Sequence, residues 1–369
     1  MRILVIAMPG CGNLGDDLIS EILQHHIIER YPNAELGIVC GESSSFNMVP
    51  NAINLFRPRK LPGKFLSREG ELKKFAKTSD LIFIGGGGLF QDTHSDFTIH
   101  AYLHWIYYAK CPIICVGIGV GPIHRTWNKW YLKRTLDREG VIIQLRDKES
   151  YEYLSQMEFN NIICSCDIVE GNVIPLKKTK SLIKTLGCSI RQWNDIDFDK
   201  IVNVINKIIH DNGVRRVCFF AFEHTESSPL EYDFLVKIAE MINIETHVYA
   251  YGKDHDFMEA LQSVDIAIAS RYHANIIWQK IGVPVIPIPY APKVYSLYLK
   301  KGIKLYPFCS DDFKEQFLNI SIDERYSLPV LTKLANVSFS IKDTFINSII
   351  HFFSLVSSVI QSIRVIFCK

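Results

Sequence analysis

The stretch Asp265-Ile-Ala-Ile-Ala269-Ser270-Arg271-Tyr272-His273-Ala274 joins a strand to a helix. Residues 265–269 form a short apolar run that is typical of a buried strand. Residues 275–281 follow with helical periodicity, and Gly282 can end that helix. Arg271 and His273 therefore stand where a strand turns into a helix. In an open α/β sheet, this is the edge at which ligands bind.

The residue types at this turn suit a small anion. The first turn of a helix presents unpaired N–H groups and the positive end of the helix dipole. Arg271 adds a planar fork for a carboxylate or phosphate, and His273 can transfer a proton near neutral pH. A structural alternative stays open, in which Arg271 forms an interdomain salt bridge and His273 is a capping or core residue.

Overall composition excludes several classes of protein. The chain has 369 residues, enough for two domains, and its net charge of +2 argues against a dedicated nucleic-acid binder. Its ten cysteines include no CxxC pair, so the spacing of a zinc site is absent and no metal is expected. The apolar N-terminus is too short for a signal sequence. These features predict a cytoplasmic protein with reduced thiols.

Strand-like and helix-like segments alternate along most of the chain, which predicts parallel α/β sheets. The pattern breaks after Asp167 and then resumes. We therefore predict an N-terminal α/β domain at 1–168, a linker at 169–182 and a C-terminal α/β domain at 183–335. Each glycine-rich or arginine-containing motif follows a strand, so the two sheet edges that carry them are expected to face each other across a cleft.

Residues 343–369 have a different pattern, in which apolar residues recur at helical spacing opposite a polar stripe that includes His351 and Gln361. The length could span a bilayer, but the polar stripe and Arg364 favour an amphipathic helix on a membrane surface. Two other placements stay open, namely packing back across the domains and a contact in a homo-oligomer. On the first interpretation, the protein lies peripherally on the inner face of the membrane.

The first strand is followed by Gly10-Cys-Gly12-Asn-Leu-Gly15, which satisfies the GxGxxG pattern of dinucleotide-binding proteins. The acid expected about 20 residues further on is missing. Asp16 and Asp17 at the helix start would also repel a pyrophosphate. We therefore expect Asn13 and the two aspartates to meet the hydroxyls of a sugar, or Asp16 to stabilise the helix dipole.

A second glycine turn, Gly85–Gly88, also follows a strand. Gly86 and Gly87 would let a ligand approach the backbone. Asp92 lies just beyond and could act as a general base for a sugar hydroxyl. The alternative is tight packing of the glycines, with Asp92 capping the next helix.

In the second domain, four successive strands are each followed by a cationic residue. This pattern predicts a pocket for a doubly anionic small molecule. The residues expected to line it are Arg191, His224, Arg271 with His273, and Lys293, together with Tyr290.

An ordered set of short motifs resembles the polysaccharide pyruvyl transferase family. In chain order they are Gly12-Asn-Leu-Gly15-Asp-Asp17, Ile84-Gly-Gly-Gly-Gly-Leu-Phe90 with Asp92, Val116-Gly-Ile-Gly-Val-Gly-Pro122, Leu145-Arg-Asp147 with Ser150, Ser189-Ile-Arg191-Gln-Trp193, Ser270-Arg-Tyr-His-Ala274, and Gly282-Val-Pro284 through Tyr290-Ala-Pro-Lys293.

The resemblance implies a two-domain GT-B-type fold and transfer of a pyruvyl group from phosphoenolpyruvate to sugar hydroxyls, usually as a ketal. Phosphoenolpyruvate would be the donor substrate, with no other cofactor. Arg191 and Arg271 would hold its phosphate and carboxylate, His273 would be the general acid or base, and Asp92 or Asp16 would act on the acceptor. Tyr272 is expected to line the donor site, although the family usually has Leu there.

Two further departures and two alternatives belong to this expectation. Gln192 replaces a frequent Pro, and Phe220–Glu223 lacks the usual Pro-Phe-Gln character, which bears on the acceptor. The acceptor is expected to be a saccharide or a lipid-linked saccharide of cell-surface polysaccharide biosynthesis. The alternatives are a GT-B-type glycosyltransferase that uses a nucleotide sugar, and a non-catalytic, membrane-associated scaffold of a glycan-assembly complex.

Overall fold

The computed structural model describes residues 1–7, 9–40, 72–93, 98–104, 106, 109–171, 185–193, 197–225 and 230–299, and the backbone of 53–56. All of them belong to one compact unit that ends at Lys314. The amphipathic tail predicted at 343–369 lies outside the described residues. So do most of the predicted linker and the end of the second domain.

Eight parallel strands form the first sheet. They are β1 (Arg2–Ile6), β2 (Glu35–Cys40), β3 (Ile53–Phe56), β4 (Leu81–Ile84), β5 (Gly87–Phe90), β6 (Ile113–Val120), β7 (Val141–Leu145) and β8 (Ile162–Cys164). The order is β3-β2-β1-β4-β6-β7-β8, and β5 pairs with β6. The central strands are buried on both faces, which is why their sequences are continuous apolar runs.

Five parallel strands form the second sheet, in the order β11-β10-β9-β12-β13. They are β9 (Thr185–Ser189), β10 (Arg216–Ala221), β11 (Glu245–Ala250), β12 (Ile266–Ala269) and β13 (Val285–Pro287). The prediction of parallel α/β sheets is therefore confirmed. In each sheet the order of the strands reverses beside the first strand, between β1 and β4 in the first sheet and between β9 and β12 in the second. Ligands of doubly wound sheets bind at such switch points, outside the carboxyl ends of the strands.

Helices connect the strands, as parallel pairing requires. They are α1 (Leu14–Arg30), α2 (Thr98–Leu103), α3 (Thr126–Leu136), α4 (Lys148–Gln156), α5 (Ile168–Gly171), α6 (Phe198–Asn212), α7 (Leu230–Ala239), α8 (Phe257–Gln262), α9 (Tyr272–Lys280) and α10 (Pro292–Leu299). Residues 72–78 are also helical. The short α5 falls at the start of the segment that the sequence predicts as linker. Within the described ranges, no helix is long and apolar enough to cross a membrane.

The start of α1 contacts the second sheet directly. Leu14 N donates to Phe222 O at 3.0 Å, and His224 N donates to Gly12 O at 2.9 Å. Leu14 and Ile19 belong to the same buried apolar cluster as Phe222. The backbone of one domain is thus hydrogen-bonded to the backbone of the other beside the switch point of the first sheet.

A buried carboxylate adds a side-chain link between the domains. Asp17, in the first turn of α1, is only 4% exposed. Gly10 N donates to its Oδ1 at 2.7 Å, and the hydroxyl of Tyr251, which follows β11, donates to its Oδ2 at 2.9 Å. Asp17 therefore holds the domains together, and its oxygens already have donors other than the sugar hydroxyls considered above.

We expect Tyr251→Phe to lower the free energy of unfolding by about 1–3 kcal/mol, because a buried carboxylate loses one of its two donors. Denaturant unfolding at constant pH measures this change. Tyr249→Phe is the matched control, since Tyr249 lies on β11 and its hydroxyl makes no hydrogen bond among the described residues. Equal midpoints for Tyr251→Phe and the unsubstituted protein would show that this bond contributes nothing.

Candidate active site

Ser270 joins the two strand ends at the switch point of the second sheet. Its side chain is fully buried, and its Oγ accepts a hydrogen bond from Arg191 N at 2.8 Å. Ser270 N donates to Ser189 O at 2.8 Å. Arg191 follows β9, and Arg271 is the N-terminal cap of α9 after β12. The fold thus brings together two arginines that are 80 positions apart in sequence, as the sequence predicts.

Arg271 is held by two glutamates. Its Nε and Nη2 donate to Glu231 at 2.8 and 2.6 Å, and Nη2 also donates to Glu223 at 2.7 Å. Burial lowers the pKa of this guanidinium, but the two carboxylates outweigh that effect and raise it above its usual value. The side chain is therefore a fixed cation, and its Nη1 has no hydrogen-bond partner in the described part of the chain.

Arg191 and Lys293 supply further positive charge beside Arg271. Both lie close enough to the Tyr290 hydroxyl to lower its pKa against the opposing effect of burial. Burial lowers the pKa of Lys293, and the charges of Arg146 and Arg271 lower it further against the effect of Tyr290. Among the described residues, the Arg191 guanidinium forms no ion pair. These cations form the kind of cluster that the sequence predicts for an anion.

Tyr290 forms one wall of this cluster. Its ring stacks on Trp193 with centroids 5.8 Å apart, and Lys293 Nζ lies 5.8 Å from the same ring. Trp193 follows β9 and Tyr290 follows β13, so the pair spans the carboxyl edge of the second sheet. The anion-binding region therefore has an aromatic wall as well as positive charge.

His273 lies in the first turn of α9, with its side chain 15% exposed. Its Nε2 is 3.7 Å from Oδ1 of Asp167, which is fully buried between β8 and α5. The other Asp167 oxygen is 3.6 Å from Arg146 Nη1. Burial opposes ionisation of Asp167, yet His273 and Arg146 together lower its pKa. A histidine of the second domain is thus paired with a carboxylate that an arginine of the first domain also contacts.

Tyr272 lies between His273 and Arg146. It is 5% exposed and packs in the same apolar cluster as Leu14. The Arg146 guanidinium carbon lies 4.8 Å from its ring centroid, within the range of a cation–π contact. Burial raises its pKa well above the usual value, so the hydroxyl stays neutral. Its role as a substrate-binding residue stays a prediction, and its contacts show a packing role beneath Arg146.

Asp16 faces His273 from the first domain. Burial raises its pKa to about 6, while the neighbouring His273 opposes the rise. Glu223 and Lys293 also lie near enough to shift this pKa. A Cβ placed on Gly87 would lie 3.6 Å from Asp16 Oδ1. The second glycine turn of the first domain therefore borders the carboxylate, and both domains contribute to one site.

The glycines of the first turn make room for the second domain. A Cβ on Gly15 would overlap the His273 ring. One on Gly12, which has φ +74°, would overlap the backbone oxygen of His224. Asn13 Oδ1 caps α1 by accepting from Gly15 N at 2.9 Å, and its backbone pairs with Glu223. The GxGxxG pattern thus serves close packing between domains.

Two other residues that were predicted for the site are His224 and Gly86. His224 is half-buried, and its ring makes an edge contact with Tyr232 at 5.8 Å. Gly86 is buried, and a Cβ there would lie 3.0 Å from Gly117 O. Gly86 is therefore a packing glycine, as the structural alternative for this turn holds.

Asp92 has a structural role, although it binds the start of α3 and not the next helix along the chain, α2, which the alternative prediction had it cap. It is 5% exposed, and its carboxylate accepts from the backbone N of His124 and Arg125 at 2.7 and 2.9 Å. Asn128 Nδ2 donates to it at 2.9 Å. Burial raises its pKa, but these bonds outweigh that effect and lower it. Asp92 anchors the start of α3, and this arrangement does not favour a base for a sugar hydroxyl.

Four further residues of the cluster were missed as site residues. Arg146 stands in a motif quoted above, and Gly119 leaves space for its guanidinium. Asp167 marks the break in the alternating pattern, which is its one sequence signal. The others are Glu223 and Glu231, which neutralise Arg271. In the described ranges, no three His, Cys, Asp or Glu side chains are grouped to hold a metal ion.

The sequence model of the polysaccharide pyruvyl transferase family matches residues 13–292. That span contains both switch points and the site residues from Asn13 to Tyr290, and it ends one residue before Lys293. The chain belongs to this family. The membership confirms the resemblance and makes the protein a transferase.

Solved structures resembling the transferase share its two-domain fold. The Methanocaldococcus jannaschii UDP-GlcNAc 2-epimerase in complex with UDP-GlcNAc and UDP has a TM-score of 0.57 at 14% identity, covering 88% of this chain and 94% of the other. The S. aureus MnaA–UDP structure has a TM-score of 0.56 at 13% identity, covering 88% and 89%.

A glycosyltransferase from Rickettsia africae has a TM-score of 0.50 at 12% identity, covering 92% and 98%. At these identities the likeness shows the fold alone, and it confirms the GT-B-type architecture. No curated protein matches the transferase in sequence.

We expect Gly15→Ala to displace His273 and to abolish transferase activity, because the added methyl would overlap the imidazole. Gly88→Ala is the control. Gly88 is exposed, and a Cβ there would meet Gln91 Nε2 at an ordinary 3.5 Å. Steady-state activity of both variants, with thermal unfolding as a check on folding, measures the difference. Full activity of Gly15→Ala would show that the packing of His273 on α1 is not required.

Proposed function

We propose that the transferase moves a pyruvyl group from phosphoenolpyruvate onto two hydroxyls of a saccharide, forming a ketal. The observation that carries the proposal is the cluster of Arg191, Lys293 and Arg271 at one switch point, next to His273 and Asp16. Cations, an imidazole and a carboxylate with a pKa of about 6 are the groups that this reaction requires.

The cations fit the donor. Phosphoenolpyruvate carries a phosphate and a carboxylate, and both remain charged near neutral pH. Arg191 is half-buried and forms no ion pair with any described residue, and Lys293 lies beside Tyr290 at the same edge. Arg271 is already bound by Glu231, so its Nη1 is the atom left for the donor. We therefore assign the main contact with the phosphate to Arg191 and Lys293, with Arg271 completing the site.

The chemistry begins with protonation of the donor's methylene carbon by His273. C2 then has cationic character, and a first sugar hydroxyl attacks it. The C–O bond to phosphate breaks and inorganic phosphate leaves, stabilised by the surrounding cations. A second hydroxyl attacks C2 and closes the ketal. Of the two hydroxyl protons, one restores the proton that His273 gave to the methyl group, and the other leaves with the phosphate.

Asp16 is the better candidate for the base that accepts the hydroxyl proton. Its pKa of about 6 leaves it mostly ionised at pH 7 yet able to take a proton. The Asp92 carboxylate already accepts three hydrogen bonds, and its pKa is lowered despite burial. Both residues were predicted from sequence, and the geometry supports Asp16.

Asp167 positions the acid. Its pKa is lowered, so it is ionised, and from a fully buried place it faces His273 Nε2 at 3.7 Å. Arg146 contacts the other Asp167 oxygen and is itself paired with Asp147 at 3.2 Å. The chain Arg146–Asp167–His273 therefore keeps the proton donor in place while the donor substrate binds.

The acceptor follows from the family rather than from a contact. We propose a saccharide of cell-surface polysaccharide biosynthesis, with a lipid-linked form as the one for which membrane proximity would be useful. The amphipathic tail at 343–369 and peripheral membrane attachment remain part of this proposal.

Release of inorganic phosphate tests the proposed function. The purified protein is mixed with phosphoenolpyruvate and a panel of glycans, phosphate is measured, and the product is examined by NMR for a pyruvate ketal. A nucleotide-sugar glycosyltransferase would instead release a nucleoside diphosphate from a nucleotide sugar. A scaffold would release neither and would show no thermal stabilisation by phosphoenolpyruvate. Either result would overturn the proposal.

We expect His273→Ala to lower kcat by about 10²–10⁴-fold, the usual contribution of general acid–base catalysis. The variant should still fold, with a lower thermal midpoint, because the buried Asp167 keeps Arg146 but loses His273 as a neighbour. His210→Ala, at an exposed position near the end of α6, is the control. Full turnover by a folded His273→Ala protein would remove His273 from the mechanism.

The pH profile tests Asp16. If this carboxylate is the base, it must be ionised, so kcat/KM should fall as the pH drops through about 6, the raised pKa of the group. Asp16→Asn should lower kcat and remove this part of the profile. Titration of the donor is common to both proteins, so it cancels in the comparison. An identical profile in the variant would contradict the assignment.

A further inference from the structure

Glu223 adds a negative charge to the cationic cluster. Its Oε2 accepts from Arg271 Nη2 at 2.7 Å. Burial opposes its ionisation, but Arg271, Arg191 and Lys293 all stabilise the carboxylate, so it carries a full charge. The carboxylate therefore contacts Arg271 and lies within electrostatic range of Arg191 and Lys293, the three cations that we assign to the donor.

Glu223 and Glu231 bind Arg271 in different ways. The Glu231 side chain is 5% exposed and binds the guanidinium through two nitrogens. The Glu223 side chain is 42% exposed and adds a single bond to a nitrogen that Glu231 already holds. Arg271 would therefore keep its position without Glu223, whereas Glu231 is part of the core.

The backbone of Glu223 is held in place, whereas its side chain can change rotamer. Its backbone N donates to Glu231 Oε2 at 2.9 Å, and its backbone pairs with Asn13 of the first domain. Release of the carboxylate from Arg271 therefore requires a rotamer change and no movement of either domain. Solvent already reaches the side chain, so such a rotation is sterically plausible.

The charges of the cluster favour a ligand that supplies more than one negative charge. Three cations and Glu231 sum to +2, and Glu223 reduces this to +1. A monoanion that displaced Glu223 would only replace one charge with another. A ligand with a phosphate and a carboxylate supplies more charge than it displaces, and the net attraction is then larger.

We propose that the Glu223 carboxylate occupies, in the empty site, the place of one anionic group of the donor, and that the donor displaces it from Arg271. The identity of the donor rests on the proposed function, whereas the place of the anion rests on the contacts of Glu223. Glu223 is thus a specificity-determining residue, because it disfavours singly charged ligands.

Glu223→Gln tests this proposal, because it removes the charge and keeps the shape. We expect the Kd for phosphoenolpyruvate, and for inorganic phosphate, to fall by about tenfold at low ionic strength. Isothermal titration calorimetry of the full chain measures both. Glu245→Gln is the matched control, since Glu245 is an exposed carboxylate at the start of β11, at the opposite end from the site, and pairs with Arg216. It should leave both Kd values unchanged.

An unchanged or higher Kd for both ligands in Glu223→Gln would overturn the proposal. Glu223→Ala provides a second neutral variant if the glutamine variant does not fold, and the same tightening is expected of it. The result also separates this proposal from the function. If phosphate binds more tightly to the variant while phosphoenolpyruvate binds to neither protein, the proposed donor is wrong and the role of Glu223 stands.

Discussion

The site depends on the contact between the first turn of α1 and the start of α9. Gly15 lets the His273 ring approach α1 to a distance that no other residue type allows. Asn13 fixes the turn by capping the helix and by pairing with Glu223. This contact brings a carboxylate of one domain beside an imidazole of the other, which neither sheet could achieve alone.

Buried charges give the contact its geometry at an energetic cost. Burying ionised groups is unfavourable unless each is paired, and a buried ion pair is weak support for stability. The cluster meets this condition by sharing partners, as Asp167 lies between His273 and Arg146, and Arg271 between two glutamates. We interpret these networks as devices that hold functional groups in position, and the apolar cluster beneath them supplies the stability.

The sequence allowed prediction of the fold and of the groups at the second switch point. Apolar runs marked the central strands, and the residues after each strand had to meet at one sheet edge, so Arg191 and Arg271 could be placed together. The partners of Arg271 could not be predicted, because Glu231 is 40 positions away on another helix and resembles any first-turn acid. Asp167 could not be predicted as a partner of His273, since its position depends on how the two domains pack.

The roles of the two glycine turns and of Asp92 could not be decided from the sequence either. Gly12 and Gly15 follow a strand, as phosphate-binding glycines do, yet the space they leave is filled by the second domain. Asp92 stands one turn beyond a glycine run and could equally face a ligand or a helix start. Only the location of α3 decides between those alternatives, because α3 and the two residues before it supply three donors to Asp92.

The most direct test of the central claim is an experimental structure of the protein with phosphoenolpyruvate bound. We expect the donor between the two switch points, with its phosphate on Arg191 and Lys293, its methylene carbon facing His273, and Glu223 released from Arg271. A donor bound away from Arg191 and His273, or one bound while Glu223 keeps its contact with Arg271 and the phosphate faces solvent, would contradict it.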